Sequence, residues 1–311
     1  MKLGLLTQPA QVPASTLQTN RMDNVRRSEY LRFFSRVGLL YKRTCLDPLW
    51  ARYPEATNSI WDSLGVFVEG YAFERQGRPP SFPAVAADVI SELRSGANGG
   101  GSRGQASLDA AKAWGRFSQK LNGDRLNTMN NPLAPKGTQY RNKKGNFQTS
   151  KSSAVEVAAQ VAQPLVQWVL QQLKENHAEV AHAKINEITG IDQKIPSFFL
   201  RDIACRYRVF PSESRSLLQP IDTWVRRSAM FLGASGDDRA VAQFIVKMAE
   251  DGGYEPERIN QGMWYFGAEI AGSEYLLTQA LADLARAEVL LKEHLASFPG
   301  WLTLFRLKRG W

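Results

Sequence analysis

Val157, Val161, Leu165, Trp168, Val169 and Leu173 recur at three- and four-residue intervals. That spacing gathers them on one side of a helix and would scatter them over both faces of a strand. The same helical patterning returns over residues 28–46, 59–73, 84–93, 107–120 and 274–294. In the fourth of these, Ala110, Ala113, Trp114 and Phe117 form the expected buried stripe. In the last, Leu277, Leu281, Leu284, Val289 and Leu291 supply apolar surface. Pro164 interrupts the 153–173 pattern and is expected to kink one long helix. With no alternating apolar pattern and no internal repeat, the expected fold class is all-α.

Charge narrows the choice of partner. The 311 residues carry a formal net charge of +9, which favours a polyanion, nucleic acid first, over a neutral partner. Lys136, Arg141, Lys143, Lys144 and Lys151 fall in a run, residues 135–151, that holds no Asp or Glu. It reads either as a phosphate contact or as a solvated loop. The two cysteines, Cys45 and Cys205, are too few for a disulfide framework or a four-thiolate metal site, and a structural role is the default. Three histidines without a His-Glu-x-x-His pattern argue against a protein-only transition-metal centre, so neither a metal nor another cofactor is expected. No apolar run approaches the roughly 18 residues of a membrane span, and the N-terminus lacks the basic flank and apolar core of a secretory signal. A cytoplasmic or nucleoid-associated monomer, away from membranes, is the expectation.

Composition suggests three regions. Residues 1–105 form an N-terminal helical region that begins with a turn-rich stretch. Gly96, Gly99, Gly100, Gly101 and Gly104 mark a loop near its end. Residues 106–152 read as a polar, basic connection, and residues 153–311 as the core, with the N- and C-terminal helices free to pack into one subdomain.

Within that core, residues 184–187 read as a helix end, 189–193 as a tight turn around Gly190, and 194–207 as the next helix, with Ile195, Phe198, Phe199 and Ile203 turned inward. Pro196 is tolerated because a first helical turn does not need its missing N–H. The N–H groups of such a turn can hold a phosphate, and the positive helix end disfavours a second positive charge on Lys194, which favours its free amine. Asp222, between Pro220-Ile221 and Thr223-Trp224, is a candidate helix N-cap, and there the same helix field favours an ionised carboxylate. An anion beside a sugar can stabilise positive charge developing at the anomeric carbon and can orient or deprotonate an attacking amine.

Residues 188–194 together with 220–224 resemble the helix-hairpin-helix DNA glycosylase superfamily. Its turn usually reads Leu-Pro-Gly-x-Gly-x-Lys and its aspartate lies in a Val-Asp-Thr/x-His-like segment. The resemblance is clearest over residues 153–270. It implies two helical subdomains flanking a substrate cleft, bent double-stranded DNA with a modified base flipped into that cleft, Lys194 as the Schiff-base lysine and Asp222 as the essential aspartate. Two departures stand out: Thr189 replaces the proline, and Asp192 replaces the second glycine, putting negative charge where phosphate would approach unless it points away or accepts a backbone bond. The interval between Lys194 and Asp222 also exceeds that of compact members.

Further site residues follow from the same frame. Trp264, Phe266 and Asn260 could line a pocket for an extruded base, or could close the core between helices. Gly190, Gln193, Lys143, Lys144 and Arg226 are candidate DNA contacts. Arg226 and Arg227, being adjacent, cannot share a helix face, so at most one can readily approach DNA while the other can brace a carboxylate. Three activities remain in play. The first is a DNA glycosylase with AP-lyase activity, acting on a modified base such as an oxidised purine. The second is an enzyme of thymine hypermodification that joins an amino compound to an activated 5-hydroxymethyl pyrimidine. The third is a noncatalytic DNA-binding module.

Overall fold

The computed structural model describes residues 24–73, 81–98, 109–121, 131–142 and 144–297. The turn-rich stretch at 1–23, most of the glycine loop and Lys143 lie outside the described residues. Among the described residues fourteen α-helices run in order: α1 Asn24–Tyr41, α2 Asp47–Arg52, α3 Ile60–Phe67, α4 Ser81–Asn98, α5 Ala110–Lys120, α6 Ala154–Val161, α7 Leu165–Lys174, α8 Ala178–Asn186, α9 Lys194–Tyr207, α10 Thr223–Phe231, α11 Asp238–Asp251, α12 Pro256–Tyr265, α13 Glu274–Ala282 and α14 Leu284–Ala296. π-Helical turns at Lys42–Leu46, Val68–Phe73 and Phe266–Ala271 prolong α1, α3 and α12. The fold is all-helical, and the one strand pair among the described residues is antiparallel, β1 Gln139–Arg141 with β2 Phe147–Thr149.

Local side chains set many of the boundaries. Ser59, Asp109, Asp222, Asp237, Ser273 and Asp283 each accept a backbone N–H at the start of their helix, and Ser153 with Glu156 forms a reciprocal capping box. Such a cap contributes about 1 kcal/mol.

Four expectations change. Pro164 does not kink one helix but separates two, because Ala162 turns left-handed at φ 55° and the proline becomes the residue before α7. The 274–294 stretch is likewise two helices, since Asp283 is extended and its carboxylate caps α14. The basic run, read as a phosphate contact or as a solvated loop, contains the β1–β2 hairpin. Gly96, assigned to a loop, lies within α4.

The longest helix contact is between α1 and α12, so the start of the described chain packs along its C-terminal third. Phe266 stands edge-on to Phe33 at 5.0 Å between ring centroids and packs against Phe34 at 6.3 Å. Each pair adds about 1 kcal/mol beyond the apolar area it buries. Glycine makes the approach possible: a Cβ on Gly262 would lie 1.9 Å from the Phe34 carbonyl oxygen, and one on Gly38 would lie 2.3 Å from that of Arg258. Backbone cannot rotate aside as a side chain can. Gly262→Ala is therefore expected to destabilise the protein by about 3 kcal/mol in urea denaturation. Gly115→Ala, where nothing lies within 4 Å of the new methyl group, should be neutral or slightly stabilising. Equal midpoints for Gly262→Ala and the wild type would refute the close-approach argument.

The long link from α9 to Asp222 is held down rather than loose. Arg208 and Ser214 adopt left-handed conformations, and a 3₁₀ turn follows at Arg215–Leu218. Arg215 forks onto the fully buried carboxylate of Glu257 with two 2.8 Å bonds and reaches Glu250 at 2.9 Å. This two-pronged pairing pins the link to α11 and α12.

Candidate active site

The turn between α8 and α9 is built from backbone bonds. Ile191 N–H donates to the Ile188 carbonyl at 3.2 Å, Gly190 takes φ 74°, and Thr189 N–H donates to the Ser152 carbonyl at 2.7 Å. Ile188 and Thr189 are buried, which fixes the turn against the body of the protein. Asp192 answers the question its substitution raised: Oδ1 accepts the Lys194 backbone N–H at 3.0 Å. The chain thus supplies its own carboxylate to the first N–H of α9. From α8, His182 Nε2 lies 3.0 Å from the Gln193 carbonyl and 3.2 Å from Ser197 Oγ. It donates to the carbonyl and so holds the residue before Lys194. Burial lowers the His182 pKa, the carbonyl bond opposing that shift.

Ile195, Phe198, Phe199 and Ile203 are buried, as the periodicity requires. On the next helical residues, Arg201 and Asp202 form an ion pair with no solvent exposure, at 2.8 Å. Asp202 Oδ1 also accepts from Gln261, at 2.9 Å, and Oδ2 accepts from Tyr41 at 2.7 Å and Tyr71 at 3.1 Å. Arg201 donates to Tyr41 Oη at 3.2 Å and to Asn260 Oδ1 at 2.8 Å. The other end of that amide, Asn260 Nδ2, donates to the Pro220 carbonyl at 3.2 Å. The chain of bonds therefore runs from the middle of α9 to the loop that presents Asp222. Arg201 also lies under the Phe198 ring, 4.9 Å from its centroid.

Above this network is a pocket of about 380 Å³ lined by Gly190, Asp192, Lys194, Ile195, Phe198, Asp222 and Trp264. Its volume falls in the range that holds small ligands. Lys194 is exposed at the first position of α9, and Asp222 is half-buried at the N-cap of α10, where Oδ1 accepts the Val225 N–H at 2.9 Å. Trp264 stands edge-on to Phe198 at 6.0 Å and to Tyr41 at 5.6 Å. Periodicity assigned Phe198 to the core alone, yet it forms pocket wall as well. Its place beside the turn in α9 was the signal that could have found it.

Other expected site residues lie elsewhere. Asn260 is fully buried and both ends of its amide are used inside the protein, so it offers no base edge a partner. Phe266 is fully buried against α1. Gln193 is exposed next to the pocket, and Lys144 lies on the turn of the β1–β2 hairpin. Arg226 pairs with Asp238 and donates to the Gly236 carbonyl at 3.1 Å, while Arg227 pairs with Glu274. Both arginines brace carboxylates, rather than one alone. Such exposed pairs contribute less than about 1 kcal/mol and do not lock the side chains in place. Burial, with the negative charge of Glu257 behind it, pushes the Cys205 thiol pKa up, which makes it a poor nucleophile.

Burial also raises the Asp222 carboxyl pKa from its ordinary value. The Val225 N–H and the charge of Lys194 oppose the shift without overcoming it. The helix field alone led to the opposite expectation, because it left out the loss of water around the carboxylate. A raised acid pKa stabilises the fold fully below the unfolded value, and that contribution is lost as pH rises through the folded value. Asp222→Asn keeps a good N-cap and stays neutral. Its stability relative to wild type is therefore expected to improve from pH 4 to pH 7 in paired urea melts, and a constant or reversed difference would contradict the shift.

No family model matches this chain, and comparison with curated proteins and with solved structures gives no match.

Proposed function

We propose that this protein is a DNA glycosylase with associated AP-lyase activity, working through Lys194 and Asp222. The observation that carries the reading is their convergence: two residues far apart in the chain line one pocket with Phe198 and Trp264. In this reading the pocket is the cleft of a helix-hairpin-helix protein, and a flipped nucleotide of double-stranded DNA enters it. Ionised Asp222 takes a proton from the Lys194 ammonium. The free amine then forms the Nζ–C1′ bond as the C1′–N bond to the base breaks, and the proton held by Asp222 passes to the leaving base. The carboxylate so restored stabilises positive charge at the sugar. It then carries a proton from Nζ to O4′ as the C1′–O4′ bond opens, which gives an iminium, and loss of a C2′ proton to the same carboxylate expels the 3′ phosphate.

The test is borohydride trapping on duplexes containing 8-oxoguanine, uracil, 5-hydroxymethyluracil or an abasic site. A reduced covalent protein–DNA complex on at least one of them is expected; none on any would refute the lyase reading.

One observation favours a second reading. Asp192 and Asp222 place two carboxylates around the pocket, a setting suited to a cationic amine. An enzyme that joins an amino compound to an activated 5-hydroxymethyl pyrimidine would leave the strand unbroken and the base heavier, and mass spectrometry of the product separates the two reactions.

A further inference from the structure

The β1–β2 hairpin is a poor candidate for a purely structural element. Five of its six strand residues are exposed and Tyr140 is only half-buried, so neither face packs into the core. An isolated two-stranded hairpin is at best marginally stable in water, and this one is stiffened by short-range bonds. The Asn142 side chain accepts the N–H groups of Lys144 at 2.9 Å and Asn146 at 3.0 Å, and Gly145 turns at φ 81°. Tyr140 Oη donates to Gln148 Oε1 at 2.9 Å. At its base, Ser150 N–H donates to the Thr138 carbonyl at 2.9 Å.

Phe147 leaves 66% of its surface in solvent, and the Arg141 guanidinium sits 4.7 Å from its ring centroid. An exposed aromatic ring under an arginine resembles the stacking platforms that hold single nucleobases. Lys136, Lys144 and Lys151 flank it in a stretch with no acidic residue. The hairpin is also joined to the candidate active site: Ser152, just beyond it, pairs with Ile188 in a parallel bridge and accepts from Thr189, next to Gly190. A lipid surface would need more apolar area than one phenyl ring offers. The polar strand residues Gln139, Tyr140, Gln148 and Thr149 suit a nucleic acid better.

We infer that this hairpin is a nucleic-acid arm in which Phe147 stacks on an unpaired base while Arg141, Lys144 and Lys151 hold the neighbouring phosphates. The inference rests on the reading of DNA as the partner.

The experiment measures binding by fluorescence anisotropy, in a Lys194→Gln background so that no probe is consumed, on a fully paired duplex and on one with a single unpaired base. Phe147→Ala is expected to weaken binding to the second probe about tenfold or more, and to the paired duplex less, with Phe147→Trp restoring it. Arg141→Gln and Lys144→Gln should each lower the slope of log affinity against log salt by about one. Phe147 is outside the core, so circular dichroism melts of its variants should match the parent. Unchanged affinity of Phe147→Ala on both probes would overturn the arm and leave the chemistry of Lys194 standing. Failure of trapping while binding still depends on Phe147 would remove the lyase chemistry and keep the arm. Absence of any DNA binding by the parent overturns both, as would binding of phosphatidylserine vesicles, and not DNA, that Phe147→Ala abolishes.

Discussion

Lys194→Gln is expected to abolish borohydride trapping and strand cleavage on every duplex the wild type processes, a loss of several orders of magnitude in rate. The glutamine amide has no basic lone pair with which to form the bond to C1′. Lys194→Arg should fail equally, because a guanidinium keeps its proton at any working pH. Both variants should fold normally, since the side chain is exposed at the first position of α9. Their affinity for DNA should change little, because one exposed cation among many contributes modestly to phosphate binding. Residual trapping in Lys194→Gln would move the nucleophile elsewhere. An equally large loss of binding would instead make Lys194 a DNA-gripping residue and favour the noncatalytic reading.

Asp202→Ala should be the most destabilising of the substitutions considered, by about 3–5 kcal/mol. Removing this carboxylate leaves Arg201 charged at zero exposure, and strips Tyr41, Tyr71 and Gln261 of their acceptor. Asp202→Asn retains a carbonyl oxygen but loses the charge, so it should lie between the variant and the wild type. Urea denaturation at pH 7 reads the difference directly. A loss below about 1 kcal/mol for Asp202→Ala would show that water or rearrangement satisfies the guanidinium. Damage should also appear at the site, because Phe198 rests on Arg201 and Asn260 links Arg201 to the Pro220 carbonyl.

Much of this is legible in the sequence where the governing interactions are local. The inward face of α9 follows from the spacing of Ile195, Phe198, Phe199 and Ile203, and the start of α10 follows from an aspartate two residues after a proline. Both are fixed within a turn or two of the residue concerned. Asn260 and Phe266 stay undecided between pocket and core in the sequence because their surroundings come from α1, α9 and the loop before α10, which no spacing rule brings together. The breaks at Ala162 and Asp283 escaped because the apolar period continues through them. The hairpin escaped for the reverse reason: its three-residue strands are too short and too polar to show an alternating pattern. At Asp222 the N-cap was readable, whereas the rise of its pKa depends on how much protein surrounds it.

The Asp202 carboxylate is saturated, with two donors on each oxygen, and these come from α1, the π-helical turn after α3, α9 and α12. Saturation makes the assembly of those segments an all-or-none event. Sliding any one of them by a single residue would leave a buried charge short of partners, at a cost that apolar packing, which tolerates substitution of shape for shape, would not impose. The wall beneath the pocket therefore has one permitted alignment and no graded neighbours. Sequence change there must come in matched sets, so single replacements drifting into these positions would be removed by selection on folding before any selection on the pocket could act on them.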